Sequence, residues 1–392
     1  MTDRPRLVAV RAGALFDGVS GTLMLDPVLL MNGPVIAAVA RAGTPPPGAE
    51  VVDLPGTTLL PGLIDTHVHL AFDAGPDPVA ALARRDDDAA LAAMRAAGRA
   101  ALHAGITTVR DLGDRGYLSL RLRGTAGLPT IVAAGPPITT PAGHCHFLGG
   151  ATEPTPQAVR AAVRDRADRG ADVVKVMASG GTMTPGTRQE TSQFTVELLR
   201  AVVDEAHRHG LPVTAHAHGT GAIRMSLDAG VDGMEHVSFW SADGVDDPGD
   251  LTGRIAGSGV TVGLTVGVAP VPGAAPPPAI AKRLPRIITN TRRLYEAGAH
   301  LVLGTDAGIG PTKPHDVLPH ALQQTTMIGL TPALALTWAT SRAAAACGLG
   351  GTKGRLAPGL DADIVAVDGD PLADLTALHR IRAVFARGHR VV

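Results

Sequence analysis

The sequence predicts an α/β fold: a (β/α)8 TIM barrel with a small accessory β-sandwich built from both chain ends. Three observations predict it. From about residue 59 onward, short apolar runs alternate with helix-length segments eight times. The stretches before and after return to strand-and-turn patterning. The 392 residues accommodate one barrel of roughly 250 residues plus a smaller unit.

The elements follow in order. Residues 7–10, 29–31, 35–39 and 51–54 are short apolar runs, with Asn32-Gly33 as a hairpin signal between two of them. Thr44-Pro45-Pro46-Pro47-Gly48 is a loop. The predicted barrel strands are 63–69, 107–110, 130–133, 173–177, 213–216, 233–236, 261–264 and 301–306. Helical segments are expected at 89–103, 117–122, 156–169, 195–209, 221–229 and 280–297. The tail resumes strands at 363–367 and 383–386, with a turn at Gly388-His389. These patterns place the barrel at 61–354 and the accessory unit at 1–60 plus 355–392.

Composition excludes several classes of function. Lys+Arg number 35 and Asp+Glu 36, a net charge of −1, so no basic excess exists to hold a phosphate backbone or an anionic membrane surface. A hydrophobic content of 45% against 18% charged describes a globular chain. No run of about 20 apolar residues lacks a charge, Gly or Pro break, so no membrane span is expected. The N-terminus lacks the apolar core of a secretion signal, and Cys145 and Cys347 are the only cysteines. Both features lead to the expectation of a cytoplasmic protein.

The informative residues are among the 15 histidines. His67 and His69 lie two apart on a strand, so both imidazoles share one face. Alone, such a pair is as readily two satisfied core histidines. His216 and His218 form a second pair, and His236 ends the next strand. Asp306 ends the last barrel strand. Lys175 sits inside the apolar run Val173-Val174-Lys175-Val176-Met177, where an ammonium is costly unless paired or neutralised. An ion pair is the plain reading of Lys175; carboxylation to a metal-bridging anion is the functional one. Five strand ends offering His, Lys or Asp into one mouth point to a metal site.

These residues carry a resemblance. The runs 60–69 (Leu-Pro-Gly-Leu-Ile-Asp-Thr-His-Val-His), Lys175-Val176-Met177-Ala178-Ser179-Gly180-Gly181, His216, Glu235-His236, Gly304-Thr305-Asp306-Ala307 and the tail 356–365 resemble the amidohydrolase superfamily over nearly the whole chain. Within it, the Lys175 run and Gly143-His144-Cys145-His146 are most similar to the imidazolonepropionase-like group, which includes Xaa-Pro and Xaa-Arg/Lys dipeptidases and ochratoxinase-like amidases.

The resemblance implies two divalent metal ions, Zn2+ by default. His67, His69 and Asp306 would hold the more buried ion and His216 and His236 the more exposed one, with N6-carboxylated Lys175 bridging both. His218 shares the face of His216 and is the alternative ligand. The implied reaction is hydrolysis of an amide bond in a dipeptide, N-acyl amino acid or related small molecule by a metal-bridging hydroxide, with Asp306 moving the proton. A cyclic amide, carbamate, ester or lactone would suit the same site. His144 is expected to contact the substrate carbonyl or carboxylate. Cys145 is a poor chelator beside its neighbours, and His315, His320 and Arg188 are weaker candidates for lining the pocket. The Pro-rich loop 268–278 and the segment after Asp306 depart from relatives, so dipeptide specificity does not transfer directly. A homo-oligomer is expected from the family alone. A ligand-depleted binding protein is the rival reading, opposed by six occupied ligand positions.

Overall fold

The computed structural model describes residues 7–273 and 276–392. The first six residues, assigned above to the accessory unit, lie outside the described residues. So do Ala274 and Ala275 of the Pro-rich loop. No helix among the described residues is long and apolar enough to cross a membrane.

The chain is an α/β protein. Its first strands are β1 (Leu7–Leu15), β2 (Met24–Leu25), β3 (Pro27–Asn32), β4 (Val35–Arg41) and β5 (Glu50–Pro61). Eight strands follow: β6 (Leu63–Val68), β7 (Ile106–Asp111), β8 (Thr130–Ala133), β9 (Val174–Met177), β10 (Val213–Gly219), β11 (Gly233–Trp240), β12 (Thr261–Thr265) and β13 (His300–Gly304). The tail adds β14 (Ile364–Asp368), β15 (Ile381–Ala386) and β16 (His389–Arg390).

Strands from both chain ends share one mixed sheet, in the order β16-β15-β14-β5-β1-β3-β4, with β2 on β1. The junction is β5, which pairs parallel with β1 at residues 50–54 and again at 58–59, and antiparallel with β14 through residues 57–61. The expected strand 51–54 is therefore part of a 12-residue strand that runs to Pro61. Gly56 adopts φ +74°, a left-handed conformation that lets the long strand bend between its two partners. This sheet encloses a core of its own that includes Val10, Leu29, Ile36, Leu59, Ile364 and Phe385. The buried ammonium of Lys353 pairs with Asp361 at 2.7 Å and Asp363 at 2.5 Å and secures the tail beside it.

The central strands form two parallel sheets, β6-β7-β8 and β9-β10-β11-β12-β13. Between them run α1 (Pro78–Ala83) and α2 (Asp87–His103), then α3 (Leu118–Leu122), α4 (Pro156–Asp168), α5 (Val196–Arg208), α6 (Thr220–Ala229), α7 (Leu251–Ser258) and α8 (Pro278–Glu296). Asp86, Thr155 and Thr195 accept from the first-turn amides of α2, α4 and α5, which fixes where those helices start. α7 has no counterpart in the sequence reading. Gly253 and Gly257 weaken its helix signal, and burial of Leu251 and Ile255 holds it in place. Parallel bridges join the two sheets at both seams, Val68 with Ala307 and Ile138 with Val176. One large core, which includes Leu63, Val174, Leu303 and Trp338, fills the space under the helices.

Candidate metal centre

The C-terminal ends of five strands converge on one cavity of about 40 Å³. β6 contributes His67, with His69 just beyond it; β9 contributes Lys175, β10 His216 and His218, and β11 His236. Asp306 follows β13. All six ligand residues expected from the sequence line this space, as does His144 from the β8–α4 connection.

The donor atoms are close. Asp306 Oδ1 lies 3.4 Å from His67 Nε2 and 3.2 Å from His69 Nε2. His236 Nε2 is 2.9 Å from His216 Nδ1. Two overlapping groups have ligand atoms within 4.8 Å of one another: His67, His236 and Asp306, and His216, His218 and His236. His218 thus remains spatially eligible, although its Nδ1 meets Ser238 Oγ at 2.9 Å and its ring stacks on His236 at 4.1 Å.

Each ring is oriented through its other nitrogen. His67 Nδ1 donates to Glu235 Oε2 at 3.0 Å, and His69 Nδ1 donates to the Gly113 carbonyl at 3.0 Å. Both therefore turn Nε2 toward Asp306. His216 Nε2 donates to the Gly180 carbonyl at 3.1 Å, which leaves Nδ1 free toward His236. His236 Nδ1 meets Thr265 Oγ1 at 2.8 Å. Four imidazoles, three of them oriented by a carboxylate or carbonyl oxygen, and one carboxylate form a donor set suited to a divalent transition metal.

Electrostatics fit the same use. Burial, reinforced by nearby imidazoles, holds His216 and His236 well below their usual range, in the neutral form a metal requires. Burial would raise Asp306, but His67, His69 and Lys313 hold it ionised. Burial lowers Lys175 to about 8 against the opposing pull of Glu235 and Asp306. Its side chain is 1% exposed, and Nζ has no hydrogen-bond partner among the described residues. A buried, unpartnered amine facing a ring of metal-type donors fits a modified, metal-bridging lysine and is costly otherwise.

Supporting residues were missed in the sequence. Glu235 Oε1 accepts from Arg110 at 2.9 Å and Thr214 Oγ1 at 2.7 Å, while Oε2 accepts from His67. Asp65 accepts from the Thr305 amide at 3.0 Å, from the Thr305 hydroxyl at 2.6 Å and from the His67 amide at 3.2 Å. Lys313 Nζ donates to the carbonyls of Thr265 at 3.0 Å and Thr305 at 2.8 Å. The available signal was a lone charge in each apolar strand, Arg110 and Asp65. Strand alternation would send Glu235 and His236 to opposite faces. Instead His236 takes φ +74° and Val237 φ +45°, so both neighbours serve the centre. Asp306 is also left-handed, at φ +61°.

The weaker candidates lie elsewhere. His315 is buried but donates Nε2 to the Phe72 carbonyl at 2.9 Å. The His320 ring packs on His379 at 4.5 Å. Arg188 is 74% exposed and pairs with Glu190. Cys145 does line the cavity, but burial pushes its thiol up to about 12, so it offers no thiolate. His144 Nδ1 meets Thr184 Oγ1 at 3.2 Å, and its Nε2 occupies the space over Gly181.

The chain is similar to known proteins over nearly its whole length. Residues 58–391 match the profile described as the Amidohydrolase family. The chain is similar to ochratoxinase of Aspergillus niger, at 28% identity over 98% of this chain and 85% of that protein. Among solved structures it is similar to a Xaa-Pro dipeptidase with methionine bound in its active site, at TM-score 0.84 and 25% identity, covering 98% of this chain and 99% of that one. It is also similar to phenylurea hydrolase B, at TM-score 0.84 and 26% identity, covering 98% and 96%.

Proposed function

This chain belongs to the amidohydrolase family and is a hydrolase acting on carbon–nitrogen bonds, and on that premise we propose that it cleaves the amide-type bond of a small molecule at a binuclear metal centre. The observation that carries this reading is Lys175, whose buried, unpartnered Nζ shares a cavity with six histidines and Asp306. Relatives named for a Xaa-Pro dipeptide and for a phenylurea bracket the substrates to consider, from dipeptides and N-acyl amino acids to neutral amides and carbamates.

We read the two parallel sheets as one closed (β/α)8 barrel over 61–354, supported by the bridges at both seams. The mixed sheet with its separate core supports an accessory unit formed by 1–60 and 355–392.

His67, His69 and Asp306 would hold one ion and His216 and His236 the other, with Zn2+ the default for imidazole and oxygen donors. Lys175 would bridge them as a carbamate: its ammonium first loses a proton, the neutral amine adds to carbon dioxide with formation of a nitrogen–carbon bond and opening of one carbon–oxygen double bond, and a second proton leaves nitrogen to give the anion. When bound, the ions supply an acidified water and Lewis-acid polarisation of the scissile carbonyl. Asp306 takes the water proton and passes it to the leaving nitrogen. Glu235, with Arg110 and Thr214 behind it, holds His67 in one tautomer. His144 contacts the substrate carbonyl. Two free cysteines accord with a reducing compartment.

The test is a mass-spectrometric hydrolysis screen of Zn2+-loaded wild type against Asp306→Asn, over pooled dipeptides, N-acyl amino acids, anilides and carbamates. Cleavage by wild type alone supports the reading. Equal cleavage by both proteins, or none, refutes it.

A further inference from the structure

Resting on the hydrolase reading, the geometry points to the chemistry of the substrate itself: we propose that it carries no carboxylate, and is a neutral amide, carbamate or urea with an apolar substituent, not a dipeptide or N-acyl amino acid. A carboxylate withdrawn from water needs a cation or several donors in exchange. Outside the metal-holding set the cavity offers no cation among the described residues; its remaining side-chain donors are His144, already given to the scissile carbonyl, His218, whose ring stacks on His236, and the Thr182 hydroxyl. Lys175 and Asp306 are its only formally charged side chains among the described residues, and both belong to that set. Beyond the imidazoles its walls are Cys145, Met177, Gly181, Thr182, Met183 and Ile309.

The cations on the surrounding segments are committed elsewhere. Arg110 is paired with Glu235 beneath the centre. Lys313 donates to two backbone carbonyls. Arg283 lies over the Trp240 ring, and its guanidinium donates to the carbonyls of Ser241, Ala242 and Gly244. Arg188 points to solvent beside Glu190. The two residues of the Pro-rich loop outside the described structure are both alanines, so they add no cation. Met177, Met183 and Ile309 instead supply adaptable apolar surface, suited to an alkyl or aryl group.

The experiment compares matched pairs on the Zn2+-loaded enzyme: acetanilide with 4-acetamidobenzoate, and methyl N-phenylcarbamate with its para-carboxylate, with Asp306→Asn as the blank. The neutral member of each pair is expected to have kcat/KM about tenfold or more above its carboxylate. Met183→Arg, which places a cation on the wall, should narrow that ratio. Carboxylates turned over as fast as or faster than their neutral partners would overturn the proposal. So would cleavage confined to dipeptides or N-acyl amino acids, which leaves the hydrolase reading standing. Failure to cleave any carbonyl compound in the broader screen would instead remove the hydrolase reading, and this proposal with it.

Discussion

His67 Nδ1 lies 3.0 Å from Glu235 Oε2, and both side chains are 1% exposed. Burial alone would raise the Glu235 carboxyl, but Arg110, His67 and Lys175 hold it far below the usual range. It is therefore a permanent anion at working pH. It fixes the proton of His67 on Nδ1 and leaves Nε2 free to bind a metal.

Glu235→Gln keeps the shape but removes the charge and can present an amide N–H to the ring. Metal affinity, or kcat/KM, is expected to fall by about 10–100-fold, as for other partners behind ligating histidines. Metal titration with a competing chelator checks this. Glu235→Ala also strands buried Arg110, and urea unfolding should show a loss of about 3–5 kcal/mol.

Lys175 predicts a pH dependence in the metal-free protein. Burial lowers its ammonium from 10.5 to about 8. Between those values the unfolded chain binds more protons than the folded one, so this group makes stability rise with pH. Below about pH 8 the full penalty applies, about 3 kcal/mol. Chelated Lys175→Met should therefore be more stable than chelated wild type at pH 7. The gap should close between pH 8 and 10.5. Urea unfolding of both proteins across that range measures it, and a pH-independent gap would exclude this account.

Lys313 ties two strand ends together. It holds the carbonyl of Thr265, whose hydroxyl meets His236, and the carbonyl of Thr305, which precedes Asp306. Lys313→Met should lower kcat by about tenfold with little change in KM, because the spacing of ligands and proton acceptor matters most in the transition state. Lys313→Arg should recover part of the loss, as steady-state kinetics on both variants would reveal.

Gly181 leaves room for His144. A Cβ there would sit 2.3 Å from His144 Nε2, so the ring must move in Gly181→Ala. KM is expected to rise by about fivefold or more while bound metal stays at the wild-type level. Metal analysis alongside kinetics separates this from damage to the centre. Equal KM would remove His144 from the substrate contacts.

Much of this protein could be read from local pattern. The eight apolar runs matched β6 to β13 because a strand buried on both faces leaves a continuous apolar signature with charges only where chemistry needs them. His67, His69, Lys175, His216, His236 and Asp306 stood out for the same reason: each is a polar residue at or near the end of an apolar run. α7 was missed because its two glycines erase the helix signal, and its helicity comes from packing of Leu251 and Ile255. Arg188, His315 and His320 were plausible by position alone. Their side chains went to Glu190, the Phe72 carbonyl and His379, partners that no local pattern reveals.

The sequence by itself determined the α/β alternation, the pairing potential of the two chain ends and the identity of the converging donors. These depend on the order of polar and apolar residues, which is a one-dimensional property. Only the tertiary structure decided which nitrogen of each histidine faces the centre, that Glu235 and Arg110 stand behind His67, and that Lys175 is the one cation lining the cavity among the described residues. Those outcomes depend on residues from 29 positions apart, His236 and Thr265, to 168 apart, His67 and Glu235, meeting at hydrogen-bond distance, and on left-handed backbone at His236 and Asp306. A charge's partner, unlike its burial, is set by where the fold brings other charges.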